Sequence, residues 1–168
     1  MSRKLTHHAL QATGSRKDLR QHAIFELIAD LLSHSEVQAL RHYRHHIRTT
    51  RFQHSLNVAY YSYLLCRLLR LDAASAARAG LLHDLYHYDT KRFTRSKPAL
   101  RHAKYHPMRA LENAERLFVM NPRERDMIVT HMWPVTLRFP RYAEGYVLTF
   151  VDKYCAVIEF FAGRKAYA

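Results

Sequence analysis

A long apolar segment from Phe52 to Leu71 constrains the fold of this chain more than any other stretch of its sequence. Its apolar side chains recur at steps of three and four residues, the spacing of one face of an α-helix. They are Leu56, Ala59, Tyr60, Tyr63, Leu64 and Leu68. The segment therefore predicts a long central helix.

Helical spacing extends over most of the remaining chain, and the low counts of 4 glycines and 5 prolines argue against a loop-rich β-sandwich or a disordered chain. The predicted flanking segments are a helix from Asp18 to Leu32, a short helix from Glu36 to about His46 with a His-rich outer face, a turn from Ile47 to Arg51, and helices at Ala73 to Leu85, Pro107 to Leu117, Asn121 to His131 and Ala143 to Ala162. Asp72 fits as the N-cap of the helix that follows it, and Asn121-Pro122 opens the helix that reaches His131. The predicted fold class is all-α, one compact domain of about six or seven helices.

Two segments lack this periodicity. Residues Met1 to Lys17 are polar and basic, so we expect a loose N-terminal arm (1–17) before a single domain (18–168). Residues Tyr86 to Tyr105 are also basic and aperiodic. This composition predicts an exposed loop, and loops of such length are often functional.

Net charge and cysteine content narrow the class of partner and the compartment. The chain has 27 basic and 14 acidic residues, a net charge of +13 before any of its 13 histidines is protonated. Such a charge attracts polyanions, although a solvated basic surface that aids solubility fits equally well.

Cys66 and Cys155 lie in apolar helical segments, which indicates core thiols and a reducing cytoplasm. No apolar run approaches the roughly 18 residues that span a bilayer, so we expect a cytoplasmic protein without a membrane partner.

Histidine and aspartate side chains on separate predicted helices suggest a metal site, because a divalent ion needs several nitrogen and oxygen donors at one point. The donors are His54, the pair His83-Asp84, His131 and Asp152. Each histidine alone is more often a hydrogen-bonded core or surface residue than a ligand. Asp152 interrupts an apolar run, where an unpaired carboxylate is costly to bury, although a lysine or arginine could also pair with it.

Three segments around these donors resemble the signature segments of the HD superfamily: "RFQHSLNVA", "AGLLHDLYHYD" and "LTFVDKYCAV". The order is His, His-Asp, Asp, with 29 positions from His54 to His83 and 68 from Asp84 to Asp152. The resemblance extends over roughly Ile47 to Ala162. It implies an HD-type helical domain in which these four side chains bind a divalent cation.

Two further histidines resemble the additional ligands of the dinuclear branch of this superfamily. His106 lies in "YHPMRALENA" and His131 in "IVTHMWP". The resemblance implies that they hold a second ion, bridged to the first by Asp84. The alternative is a pair of ordinary helix-terminal histidines, a position that suits the charge of His131. The expected cofactor is thus one or two ions of Mn, Fe, Mg, Co, Ni or Zn.

The chain departs from the better-characterised branches of the superfamily. The cyclic-dinucleotide branch continues its His-Asp pair with glycine and lysine, whereas this chain reads "LYHYD" after Asp84. The long insertions of the triphosphohydrolases are also missing. The sequence is most similar to small, stand-alone bacterial HD-domain proteins of unassigned function, through "HSLNVAYYSYLLCRLL" and "HMWPVT".

The function implied by the resemblance is metal-dependent hydrolysis of a phosphate ester, with a nucleotide or similar small phosphorylated molecule as the expected substrate. Asp84 is the expected catalytic residue, because its carboxylate would bind the ion that activates water. Arg51 lies one helical turn before His54 and could grip a phosphate, unless it is an exposed helix-start arginine. His102 is a second candidate for substrate binding, together with basic residues around the expected mouth of the site: Lys91, Arg92, Arg95, Lys97 and Arg101.

The sequence leaves two rivals open, and both depend on the basic charge. The first is a nucleic-acid-binding protein on a catalytically idle HD scaffold. The second is a nucleic-acid phosphodiesterase. No known nucleic-acid-binding motif accompanies the basic residues, so charge alone supports either. The sequence gives no indication of the oligomeric state.

Overall fold

A computed structural model describes residues 10–13, 15, 18–45, 49–96 and 98–165. Within these ranges the chain forms eight α-helices, two 3-10 helices (Leu19–Gln21 and Leu40–His42) and one short β-hairpin. The α-helices are α1 (Ile24–Ser33), α2 (Ser35–Ala39), α3 (Arg51–Leu68), α4 (Ala73–Leu82), α5 (Thr90–Ser96), α6 (Ala99–Leu117), α7 (Pro122–Thr130) and α8 (Ala143–Lys165). In the hairpin, β1 (Arg44–His45) pairs antiparallel with β2 (Thr49–Thr50). The predicted all-α class is confirmed.

Helix α3 is the centre of the fold, as its apolar segment predicted. It is buried on nearly all sides and packs chiefly against α4 and α8. Helix α7 packs against α4 and α8, and α6 packs against α7. Within the described ranges, no helix combines the length and apolarity that a bilayer crossing requires.

Two predicted helix starts are confirmed by their caps. The Asp72 side chain accepts a hydrogen bond from the Ser75 N–H at 3.0 Å and thereby begins α4. Asn121 and Glu124 form a reciprocal capping box at the start of α7. Each cap satisfies an N–H that the first helical turn leaves without a partner. Helices α4 and α7 end directly before His83 and His131, two of the predicted ligands, so each cap fixes the opposite end of a helix that leads to a predicted ligand.

The predicted loop from Tyr86 to Tyr105 is wrong, since this stretch contains α5 and the first two turns of α6. Pro107 consequently lies inside α6 rather than in its first turn. The buried stripe of α6 consists of Ala103, His106, Ala110 and Ala114, with steps of three and four residues. Small and polar side chains give a weak apolar signal, which is why the periodicity was missed. Lys97 lies outside the described residues.

Two other boundaries also differ from prediction. Residues 10–13, assigned to the loose arm, lie against the domain: Ala12 is buried and the Thr13 N–H donates to Asn57 Oδ1 at 2.8 Å. Most of the predicted arm lies outside the described residues, namely positions 1–9, 14, 16 and 17. Part of the predicted turn, at positions 47 and 48, lies outside them as well. The short helix predicted to reach His46 ends at Ala39, and the chain enters a 3-10 turn and β1. His45 therefore lies on a strand.

Close contact between α3 and α4 generates the first prediction. A Cβ at Gly80 would lie 2.7 Å from Ala59 Cα and 2.9 Å from Ala59 N, which are backbone atoms that cannot move aside. Gly80→Ala should therefore lower the free energy of unfolding by about 1–3 kcal/mol. Urea denaturation measures the change, with Ala74→Ser on the same helix as a control expected to have little effect. Equal stability of the Gly80→Ala variant and the wild type would contradict the close packing.

Candidate metal centre

All six predicted ligands converge in one cluster, although they come from five different parts of the chain. They are His54 in the first turn of α3, His83 and Asp84 directly after α4, His106 in α6, His131 at the end of α7 and Asp152 in α8. Five of them are buried, and the Asp152 side chain is 15% exposed. The helices thus bring together residues that lie up to 98 positions apart.

The first candidate position lies between His54, His83 and Asp152. Asp152 Oδ1 lies 3.0 Å from His54 Nε2 and 3.6 Å from His83 Nε2. Ligand atoms of the three residues all lie within 4.8 Å of one another. Such a group is compact enough to hold one ion.

The second candidate position lies between Asp84, His106 and His131. The two histidine Nε2 atoms are 2.8 Å apart. Asp84 Oδ1 lies 3.4 Å from His106 Nε2 and 3.9 Å from His131 Nε2. The other oxygen, Asp84 Oδ2, lies 4.0 Å from His83 Nε2. The Asp84 carboxylate therefore lies between the two positions and directs one oxygen toward each.

Backbone carbonyls fix the protonation of three of the histidine rings. The Nδ1 atoms of His83, His106 and His131 each lie 2.7–3.0 Å from a carbonyl oxygen three or four positions earlier. A carbonyl can only accept a hydrogen bond, so each Nδ1 carries the proton. Each Nε2 consequently presents its lone pair to the cluster, which is the form in which imidazole binds a metal.

A buried carboxylate orients the fourth ring. Glu159 lies 3.1 Å from His54 Nδ1 and also accepts a hydrogen bond from Asn57 Nδ2 at 2.7 Å. The opposite nitrogen, Nε2, faces Asp152. Burial alone would lower the pKa of His54, but the Asp152 and Glu159 carboxylates raise it to about 10. His54 thus lies between two carboxylates that favour a cation, either a proton on the ring or a metal ion in front of it.

The cluster contains acceptors without matching donors, which is the arrangement a cation satisfies. Within the described part of the chain, His83 Nε2 and Asp84 Oδ1 are buried and have no hydrogen-bond partner. Buried polar atoms without partners are rare, because each costs about 1–3 kcal/mol. Imidazole nitrogens and carboxylate oxygens suit divalent ions such as Mn, Fe, Co, Ni or Zn. The residues present therefore fit a divalent metal.

Electrostatics favour the metal-binding forms of His106, His131, Asp84 and Asp152 near neutral pH. Burial lowers the pKa of His131 to about 3, and it also lowers the pKa of His106. Burial opposes ionisation of Asp84 and Asp152, but the surrounding imidazoles hold the pKa of both carboxyls well below the usual range. Neutral imidazoles and ionised carboxylates are the forms that bind metals.

A cavity of about 610 Å³ opens onto the cluster. Besides the candidate ligands it is lined by three cationic side chains, Arg44, Lys91 and Lys153. The Lys153 Nζ donates a hydrogen bond to the His131 carbonyl at 2.9 Å and lies 3.4 Å from Asp152 Oδ2. Its ammonium group is therefore held at the edge of the cluster.

The expected role of Arg51 in phosphate binding is wrong. Its side chain is fully buried and does not line the cavity. The guanidinium group donates to the carbonyls of Tyr86 and Tyr88 at 2.5 and 3.3 Å, and to Thr90 Oγ1 at 3.2 Å. It also stacks over the Tyr86 ring. Arg51 does share a face with His54, but that face packs against the segment after Asp84, which Arg51 anchors.

His102 does line the cavity, as expected of a substrate-binding residue, and that role remains a prediction. Its ring stacks on His106 with centroids 4.6 Å apart, and its Nδ1 lies 3.1 Å from the Tyr88 hydroxyl. Burial, with a contribution from His106, lowers the pKa of His102 to about 4. The ring is neutral near pH 7, so it offers hydrogen bonding rather than charge.

Sequence reasoning missed three residues that contact the cluster. His45 stacks on the His54 ring with centroids 3.9 Å apart, and its Nδ1 lies 3.8 Å from Asp84 Oδ2. Lys153 was given no primary role. Glu159 lies seven positions, two helical turns, after Asp152, so its shared face could have been recognised. His45 had no such signal, because it was placed on an exposed helix face.

Comparison with known proteins identifies the family. The sequence model of the HD domain family matches residues 51–133, and the chain is a member of the HD-domain superfamily. HD domains are in general metal-dependent phosphohydrolases that bind divalent ions. The match includes five of the six candidate ligands and ends before Asp152. No curated protein and no solved structure matches the chain.

The two positions predict a metal stoichiometry of two. The wild-type protein, loaded with Mn²⁺ and passed over a desalting column, should retain two ions per chain by inductively coupled plasma mass spectrometry. The His106→Ala, His131→Ala double variant should retain one, because the second position loses two of its three donors while the first stays intact. A control variant with His42→Ala and His87→Ala, two histidines outside the cluster, should retain two. Equal metal content in wild type and the first variant would contradict the second position.

Proposed function

We propose that this chain is a metal-dependent phosphohydrolase that acts on a nucleotide or a similar small phosphorylated molecule. The observation that carries the proposal is the convergence of four imidazole Nε2 atoms and two carboxylates beneath one cavity. Asp84, with one oxygen toward each position, supports a dinuclear centre. Divalent ions held there would lower the pKa of water and polarise a phosphoryl oxygen.

The protein's own residues provide the setting for this chemistry. The buried ligands exclude bulk water from one side of the centre, while the cavity gives access from the other. Hydrogen bonds from Nδ1 hold the histidine rings in place before any substrate arrives, so little reorganisation is needed during reaction. Asp84 is the residue whose loss would affect both positions.

The cavity supports a small phosphorylated substrate. Its volume of about 610 Å³ lies within the range of roughly 300–1,000 Å³ that is typical of small-molecule sites. Lys91 and Lys153 give its mouth a positive charge that suits a phosphate group. His45 also lines the cavity, partly buried and with its Nδ1 3.8 Å from Asp84 Oδ2, where its ring can contact a substrate.

A nucleic-acid phosphodiester is the second candidate substrate, because a net charge of +13 exceeds what a small anion requires. Such a substrate would use the same centre with a longer contact surface. Binding of nucleic acid on an idle scaffold receives less support. A scaffold without catalysis would not need six nitrogen and oxygen donors that converge beneath one cavity.

Loss of Asp84 should abolish activity. With Mn²⁺ or another divalent ion, the purified protein should hydrolyse a phosphate ester, and Asp84→Ala should lower kcat/KM by about 10³-fold or more because both positions lose a ligand. Circular dichroism checks that the variant is folded, and Asp84→Asn, which keeps the shape of the side chain, provides a second test.

The outcome that contradicts the proposal is specific. Wild-type protein would show no turnover of nucleotides or generic phosphoesters with any divalent ion. It would instead bind RNA or DNA tightly and in a salt-sensitive manner, and Asp84→Ala would leave that binding unchanged. The protein would then be a binding module.

Lys91 should affect substrate recruitment more than the chemical step. Its ammonium group lines the cavity, whereas Arg95 on the same helix does not. Lys91→Ala should raise KM several-fold, with a smaller effect on kcat, since two opposite unit charges 4 Å apart attract by about 1 kcal/mol even in bulk water. Arg95→Ala is the matched control and should leave both constants near wild type. Steady-state kinetics at low and high salt measures the effect, and equal KM values for the two variants would argue against a role for Lys91.

A further inference from the structure

A row of apolar side chains on the outer face of α8 remains about half exposed, although Tyr146 contacts the Trp133 ring with centroids 5.4 Å apart. We define it as the α8 stripe: Tyr146, Phe150, Tyr154, Val157 and Phe161, with exposed fractions of 42–63%. The steps of four, four, three and four residues place all five within about 80° around the helix, at 100° per residue. The stripe lies beside the buried core face of α8, which carries Val147, Leu148, Val151 and Cys155.

The surface around the stripe is also apolar. Leu64 and Leu68 of α3 are exposed beside it, and a groove of about 280 Å³ with an almost entirely apolar lining runs between the two helices. Tyr154 lies at this groove, with its ring 6.0 Å from the ring of Tyr61 and stacked at 6.4 Å on Phe150. Stripe and groove thus form one continuous surface.

The stripe itself carries no charge that would attract a polyanion. The net charge of the chain is +13, yet none of the five stripe positions is charged. The ionisable groups of α8 within the same span are directed elsewhere: Asp152 and Lys153 line the cavity, and Glu159 is buried against His54. A neutral, apolar and largely aromatic partner surface fits this stripe.

The order of residues in the stripe points to a second copy of the same chain. The outer positions of the stripe are evenly placed on either side of Tyr154: the midpoint of 146 and 161, and that of 150 and 157, is half a residue before position 154. Two antiparallel copies of α8 would therefore place Tyr146 opposite Phe161 and Phe150 opposite Val157, with the two-fold axis midway between positions 153 and 154 and the two Tyr154 rings side by side next to it. A surface that complements its own two-fold copy is the requirement for a symmetric dimer.

The area is of the size that a dimer needs. Fully exposed aromatic side chains present about 150–250 Å² each. Since about half of each side chain is exposed, the α8 stripe with Leu64 and Leu68 presents several hundred Å², comparable to the roughly 800 Å² per partner of a standard interface. Apolar patches of roughly 300–600 Å² are the largest on a typical monomer and are often functional.

We propose that the protein forms a two-fold symmetric homodimer in which the α8 stripes of two copies pack antiparallel, centred on Tyr154. The metal ligand Asp152 lies on another face of the same helix, so each centre remains open to its own cavity. The dimer does not depend on the proposed enzymatic activity. Its failure would leave the metal centre unaffected.

Sedimentation velocity of the full-length chain over a range of concentrations tests the dimer. Wild type should sediment at twice the chain mass of 19.9 kDa. Tyr154→Glu buries two carboxylates at the two-fold axis and should weaken association by about 100-fold or more. Phe150→Glu should act similarly, whereas Val119→Glu, at an apolar position 95% exposed outside the stripe, should not. Unchanged helical content and metal content confirm that each variant is folded.

Cysteine cross-linking tests the antiparallel register. Facing helices place only opposite positions within the Cβ separation of about 3.5–4.5 Å that a disulfide needs. Under mild oxidation Tyr154→Cys should cross-link with itself, while Phe150→Cys should cross-link only when mixed with Val157→Cys. The native Cys66 and Cys155 are buried and should give little background.

Three results would overturn the proposal. The first is a wild-type monomer at 100 μM. The second is a dimer that Tyr154→Glu leaves intact. The third is self-cross-linking of Phe150→Cys, which would indicate parallel helices. Salt gives a further check: because two chains of +13 repel, higher salt should strengthen this dimer while it weakens attraction of an anionic substrate.

Discussion

His83 ends helix α4 and His131 ends helix α7. The Nδ1–H group of each ring donates a hydrogen bond to a backbone carbonyl in the last turn of its own helix. The last turn of a helix has carbonyls without intrahelical partners, and these two rings satisfy one each. The same hydrogen bond turns the Nε2 lone pair of each ring into the space between the helices. Asp84 follows His83 directly and places its carboxylate between the two rings. The whole centre depends on this repeated arrangement at two helix ends.

This arrangement also links the metal to the fold. Buried carboxylates and lone pairs that face one another are costly without a cation, so an ion that fills the centre adds its binding free energy to folding. The apolar packing of α3, α4 and α8 holds the ligands together before the ion binds. Helix α8 has three tasks: its inner face contributes to the core, Asp152 and Glu159 serve the centre, and the α8 stripe is available to a second chain. These tasks occupy different sides of one helix and do not compete.

The sequence predicted most of the fold, because long apolar periodicity and strong caps at Asp72 and Asn121 are local signals. The six candidate ligands were predicted through the resemblance in their order and flanking segments, which residue types alone would not have given. The start of α6 was missed because its buried stripe is made of alanines and a histidine. The contacts of Arg51 and His45 depend on how distant segments pack, and neither helical spacing nor motif carries that information. Tertiary packing therefore decided which basic and imidazole groups face the cavity.

Anomalous X-ray diffraction from a crystal soaked in Mn²⁺ tests the central claim most directly. Two anomalous peaks should appear in each chain, one among His54, His83 and Asp152 and the other beside His106 and His131, with the Asp84 carboxylate between them. Placing the ions tests the paired arrangement of ligands itself, independently of any substrate. A single peak would contradict the dinuclear arrangement, and no peak in the cluster would contradict the metal centre altogether.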